Sequence, residues 1–152
     1  MGIKVTLSGL DDDIAAIAQY KESVVRGAMD DIIEYLVTAS PVDTGAYIES
    51  HTIKSNNTRG RGRDSSKRKR GSGGEANREL AMNQLLEDVE KLDFNSDKFV
   101  IRNDSKHSVF VEFGTAKVKA YNIYEGISAV QFSGKEKKAY GKQYDKYYKG
   151  RV

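Results

Sequence analysis

Few residues in this 152-residue chain combine in ways that could do chemistry. Asp43-Thr44-Gly45-Ala46 presents a carboxylate beside a hydroxyl in a glycine-containing turn. Two such carboxylates sharing one proton can activate water for peptide hydrolysis. That chemistry needs a second Asp, from a second lobe or a symmetric dimer, and a loop of an all-β fold. No second Asp-Thr-Gly or Asp-Ser-Gly occurs, and the tetrapeptide follows a long helical pattern. The plainer expectation is a helix-to-strand corner. Pro41 drives the residue before it out of helical dihedrals and stops the helix near Thr38 or Ala39. Asp43 and Thr44 can bond nearby backbone N–H groups, and Gly45 tolerates positive φ.

Other reactive groups are scarce. The absence of cysteine excludes disulfides, thiolate nucleophiles and Cys-ligated zinc. Two histidines, His51 and His107, are too few for a His-rich metal site. His51 falls on a strand with no strongly apolar face, which predicts a surface or interface side chain rather than a ligand. No nucleophile–base pair and no glycine-rich phosphate loop ahead of a helix stands out, so neither catalytic residues nor a cofactor or metal is expected. A secretory leader and an 18-residue apolar run are both lacking, so a soluble chain with no membrane partner is expected.

Charge is distributed unevenly. Arg59, Arg61, Arg63, Lys67, Arg68, Lys69 and Arg70 stand against Asp64 alone, a charge of +6 in a Gly/Ser-rich stretch. Residues 134–152 carry +5, so with a net charge of +3 the rest of the chain holds −8. The expectation is an acidic body with two basic appendages. Residues 55–75 read as a mobile loop, and Lys67 to Arg70 also fits a nuclear-import signal. Such a loop can grip phosphates whatever the base sequence, although no aromatic interleaving indicates base stacking. In the second appendage Tyr140, Tyr144, Tyr147 and Tyr148 fall at i, i+4, i+7 and i+8. That tyrosine stripe suits a subunit interface.

These features require elements to hold them. Residues 3–7 alternate as a short strand. Asp11, Asp12 and Asp13 favour a helix N-terminus, followed by apolar residues from Ile14 to Leu36 at three- and four-residue intervals. Such a helix must lie against a sheet or another subunit. Residues 46–53 alternate as a partly exposed strand, residues 75–92 return to helical periodicity, and residues 98–102 read as a strand. Residues 109–113 read as another strand, with Glu112 between two aromatics, and residues 123–130 as a short helix. The fold class predicted is α+β: a long N-terminal helix on a small antiparallel sheet, a second helix after the basic loop, and an extended or helical C-terminal arm. The organisation expected is one domain over residues 1–133 with the loop inserted, and an arm over 134–152.

Two separated motifs stand together: Ser40-Pro41-Val42-Asp43-Thr44-Gly45 with Tyr47 and Ser50, and His107-Ser108-Val109-Phe110-Val111-Glu112-Phe113-Gly114-Thr115 after Asn103-Asp104. The pairing resembles the tail-completion or neck proteins of tailed bacteriophages, minor tail components that include head–tail joining and tail-terminator types. In that family a long helix runs into a Pro-Val-Asp-Thr-Gly corner, and a Tyr-Ala-x-x-Val-Glu-Phe-Gly-Thr segment later closes the sheet. The resemblance covers residues 11–53 and 98–130; His107 stands where the family usually has Tyr. The basic loop with the 75–92 helix looks like an insertion, and the Tyr/Lys arm extends past the usual end.

The resemblance implies a structural protein of the virion, made in the host cytoplasm, with no enzymatic activity. It implies a homo-oligomeric ring, expected as a hexamer, that joins tail to head. Its partners would be other neck, connector and tail-tube proteins, with non-specific contact to packaged DNA through Arg59–Arg70. Pro41, Asp43, Thr44, Gly45, Ser50, Glu112, Phe113, Gly114 and Thr115 would then have structural roles. Two other classes remain: a nucleic-acid-binding module using the basic loop, and, more remotely, an aspartic protease using Asp43. If Asp43 shapes the corner, Asp43→Ala should cost roughly 0.5–2 kcal/mol, the worth of a lost cap. Unchanged melting and assembly in that variant would remove Asp43 from the corner.

Overall fold

The computed structural model describes residues 9–42, 45–56 and 74–130. The strand expected at 3–7, Asp43, Thr44, the basic residues Arg59 to Arg70 and the tyrosines 140, 144, 147 and 148 lie outside the described residues. The elements run α1 (Leu10–Ala39), a 3-10 turn (Ile48–Ser50), β1 (His51–Ser55), α2 (Glu75–Glu90), β2 (Phe99–Asn103), α3 (Ser108–Phe113) and α4 (Ile123–Ile127). The fold is mixed helix and sheet, with β1 and β2 forming a two-stranded antiparallel sheet. Its register pairs His51 with Asn103, Ile53 with Ile101 and Ser55 with Phe99.

Helix α1 ends where Pro41 requires. Ser40 is extended at φ −71°, ψ 137°, and its N–H closes the last turn on the Leu36 carbonyl. Other carbonyls of that turn, on Val37 and Thr38, accept from the Arg78 guanidinium of α2. A charged donor thus satisfies groups that a helix C-terminus leaves without partners.

The two halves of α1 behave differently. Met29, Ile32, Ile33, Leu36 and Val37 are buried, a stripe at helical spacing. They join Tyr47, Ile48, Ile53, Ala81, Leu85, Val89, Leu92 and Ile123 in one core. Helix α1 packs on α2 and α4, while α2 lies across β1 and the 3-10 turn. The middle of α1 is fastened by polar contacts instead. Arg26 bridges Glu22 and Glu90 and lies 4.6 Å over the Phe94 ring, and Lys21 donates to the Ser96 carbonyl. Before that point, Ile14 and Ile17 face outward.

Three expectations are corrected. Residues 46–53 do not form one exposed strand. The Glu49 N–H bonds the Gly45 carbonyl, the Ser50 N–H bonds the Tyr47 carbonyl, and the Ser50 hydroxyl donates to the Ala46 carbonyl at 2.6 Å. These local bonds compete with a ladder, so pairing starts only at His51. The strand that follows is buried at every position except Lys54. Residues 109–113 form helix α3 rather than a strand, because a short run with apolar residues on both faces fits either period. The helix over 123–130 is regular only to Ile127, with turns continuing to Val130.

Gly45 makes the corner possible. Its φ is +77°, and an added Cβ would press into the Asn77 side-chain amide and lie 2.9 Å from Glu49 Oε1. Left-handed dihedrals alone cost a side chain about 1–2 kcal/mol. Gly45→Ala should therefore lose more than about 1 kcal/mol in urea denaturation. A midpoint equal to the parent's would show that the corner is not held this tightly.

Candidate functional site

The two motifs lie on different elements, and tertiary structure brings them together. The first runs from the end of α1 through the 3-10 turn into β1. The second begins at Asn103, the last residue of β2, passes through a turn into α3, and doubles back. The return is held by the Tyr121 N–H on the Val111 carbonyl and the Asn122 N–H on the Glu112 carbonyl. Asn122 then starts α4 in a left-handed conformation, φ 51°, which Asn tolerates better than most residues.

Glu112 is the tie. Its Oε1 accepts from the Tyr47 hydroxyl at 2.5 Å and its Oε2 from the Tyr124 N–H at 3.1 Å. A phenol bonded to a carboxylate at that length is charge-assisted and stronger than a neutral hydrogen bond. Burial, and then the bond to Glu112, push the Tyr47 phenol far above its ordinary value of 10.0. Burial, and then the Glu112 charge, push Tyr124 up as well. Both rings stay neutral hydroxyl donors across the physiological range.

Asn103 and His51 complete the network. The Asn103 side chain accepts from the Ser105 N–H through Oδ1 at 3.0 Å, which orients its amide. Its Nδ2 then donates to the Tyr47 carbonyl at 2.7 Å and points at His51 Nδ1, 3.3 Å away. The Tyr124 hydroxyl lies 3.0 Å from the same nitrogen. An amide nitrogen can only donate, so Nδ1 is the acceptor and the ring proton sits on Nε2. That proton is given to Ser40 Oγ at 2.9 Å. The Tyr47 ring meets the imidazole edge-on at 5.0 Å, a favoured aromatic arrangement.

The chemistry available to this arrangement is restrained. Ser40 and His51 are adjacent, as a nucleophile and its base would be, but the shared proton runs from the ring to the hydroxyl. A base able to activate Ser40 needs an unprotonated Nε2. Both residues are 1% exposed. A second buried pair lies alongside: Asn77 Nδ2 donates to Glu49 Oε1 at 2.5 Å, while Asn77 Oδ1 accepts from the Gly74 N–H that opens α2. No group of three or more His, Cys, Asp or Glu that could hold a metal ion occurs among the described residues. An open groove of about 450 Å³ lies along α1, lined by Asp31, Glu34, Tyr35, Thr38, Ala39 and Val130.

The motif residues that fall within the described structure can each be placed. Pro41 follows α1, Gly45 forms the corner, and Ser50 closes the 3-10 turn. Gly114 ends α3 at φ +73°, where a Cβ would meet Val118 O and Ala120 N at 2.7 Å each. Thr115 Oγ1 accepts from the N–H groups of Lys117 and Val118 and shapes the next turn. Phe113 joins none of this and is 79% exposed.

His51 corrects the expectation of a surface or interface side chain: it sits at the centre of the network inside the protomer, almost fully buried. Tyr124 was not legible as its neighbour, nor Glu49 and Asn77 as a buried pair. Glu49 shares with Tyr47 and His51 an alternation that looked half-exposed, and nothing near Asn77 or Tyr124 in sequence marks them. No protein-family model matches the chain, and neither a curated protein nor a solved structure resembles it detectably.

Removing the Tyr47 hydroxyl leaves Glu112 Oε1 without this donor. Tyr47→Phe should lose about 1–3 kcal/mol in urea denaturation, the cost of an orphaned, partly buried acceptor. The raised phenols also set a pH dependence. A group whose pKa is higher in the folded state contributes stability that is complete below the unfolded value. That contribution is lost as pH rises through the folded value. Stability should hold up to about pH 10 and fall above it, with tyrosine absorbance lagging behind a denatured control. A decline above pH 10 as steep in Tyr47→Phe as in the parent would show that another group carries it.

Proposed function

We propose that the chain is a structural component of the head–tail junction of a tailed bacteriophage, of the tail-completion or neck type. On this proposal it works by assembling into a homo-oligomeric ring and performs no catalysis. The observation that carries the reading is the bond between Tyr47 and Glu112. The two motifs on which the resemblance rests are separated by the whole of α2 and β2, yet they meet through that bond. Motif residues joined in a buried network have a shared structural job, which supports a scaffold over a catalyst. The hydroxyls, amides and imidazole in the network are spent on one another.

In a ring, each copy adds a segment of +6 between Arg59 and Arg70, multiplying a modest charge into a strong positive band. The partners proposed are further neck, connector and tail-tube proteins in the virion, with the band facing packaged DNA or an acidic ring. The same charge favours a second reading, a nucleic-acid-binding module that acts as a monomer. Light scattering at low and moderate salt, with and without duplex DNA, separates the two. A ring-sized mass, or a monomer that forms rings on concentration, is expected. A monomer that never self-associates yet binds duplex with a steep salt dependence would replace the ring with the nucleic-acid module.

A further inference from the structure

Exposed apolar side chains also occur on α2 (Leu80, Met82, Leu86) and β2 (Val100), but the most exposed ones form two groups, on α3 and on the first half of α1. On α3, Val109, Phe110 and Phe113 are 61%, 55% and 79% exposed. Phe110 and Phe113 are three residues apart and therefore neighbours on the helix surface. Their exposure follows from the fold: Val111 packs on the core and Glu112 turns inward to Tyr47, which leaves the aromatic side to solvent. Single exposed apolar side chains are ordinary, but two adjacent phenylalanines flanked by valine on a six-residue helix form a patch. Aromatic residues are also the type enriched at the centres of interfaces. Lys117 and Lys119, both exposed, follow on the loop folded back against α3.

The second surface is the first half of α1. Ile14 and Ile17, again three residues apart, are 56% and 63% exposed. Asp12 and Asp13 precede them in the first turns. This half continues the apolar stripe of a helix whose second half is in the core, yet the described fold puts nothing over it. One surface is apolar with basic flanks and the other apolar with acidic flanks, and both belong to the same chain. A complementary pair on one molecule is the arrangement that makes head-to-tail contacts, closing into rings or propagating as filaments.

We infer that the Phe110/Phe113 face of α3 in one copy docks on the Ile14/Ile17 face of α1 in the next, with Lys117 and Lys119 set against Asp12 and Asp13. The inference rests on the ring reading above and names the faces that form it. Opposite charges at the rim orient the encounter and disfavour the wrong pairing, α3 on α3 or α1 on α1. The apolar centre supplies the attraction.

Complementation between two broken faces tests this. Phe113→Asp spoils the α3 face and leaves α1 intact, whereas Ile17→Asp does the reverse. Both positions are exposed, so each variant should keep the parent's circular dichroism and melting. Each alone should be monomeric by light scattering, and an equimolar mixture should form heterodimers and nothing larger. Lys117→Glu combined with Lys119→Glu, which leaves the apolar centre untouched, should weaken association more at low salt than at high salt.

A mixture that stays monomeric would overturn the inference, since a self-paired face cannot be complemented. Variants that assemble like the parent would also overturn it, while leaving the ring itself standing on some other face. Complementation with a parent that grows open filaments would uphold these faces and overturn the ring. A parent that stays monomeric at every concentration would overturn both.

Discussion

A carboxylate drawn partly out of water must be paired, and the pairing of Glu112 shapes much of this molecule. Glu112 takes one donor from the corner after α1 and another from the start of α4. To deliver Tyr47, the chain must turn sharply after Pro41, and only a residue at ease with positive φ fits against Asn77 there. To deliver the Tyr124 N–H, the chain must double back at Gly114, where the loop passes too close for a Cβ. Two glycines, one tyrosine and one glutamate thus impose a single geometry. A buried member left unsatisfied would cost more than the bond it lost, because a desolvated polar group keeps its desolvation penalty.

The network and the core divide the work. Burial of Ile33, Leu36, Ile48, Ile53 and Leu85 supplies the driving force, which is non-directional and tolerates many arrangements. The polar contacts of Ser40, His51, Asn103 and Tyr124 do not tolerate them. They fix how the end of α1, the sheet and α4 meet. A buried polar network with its groups paired holds one arrangement where apolar packing admits several. Here it accounts for a histidine with both ring nitrogens engaged in a chain that has only two histidines.

That division bears on function. The strongest hydrogen-bonding capacity is directed inward, and the most exposed apolar side chains lie on α3 and the first half of α1. The proposed ring would need this distribution: an interior that sets angles and surfaces that meet neighbours. The proposed head-to-tail contact uses these two surfaces.

The sequence by itself determined the elements governed by local chemistry. Helix α1 stops at Ala39 because Pro41 acts on its immediate neighbour, and α2 and β2 lie within a residue or two of the positions their periodicities predict. It also determined the segregation of charge, which is arithmetic on residues. Tertiary structure alone decided whether residues 108–113 coil or extend, since their pattern suits both, and as a helix they turn Glu112 inward to Tyr47 and the Tyr124 N–H. It likewise decided the burial of His51: a polar alternating strand looks exposed until α2 covers it and Ser40, Asn103 and Tyr124 satisfy its nitrogens. Residues 11, 52 and 73 positions apart met there, and no periodicity along a chain encodes a contact at that distance.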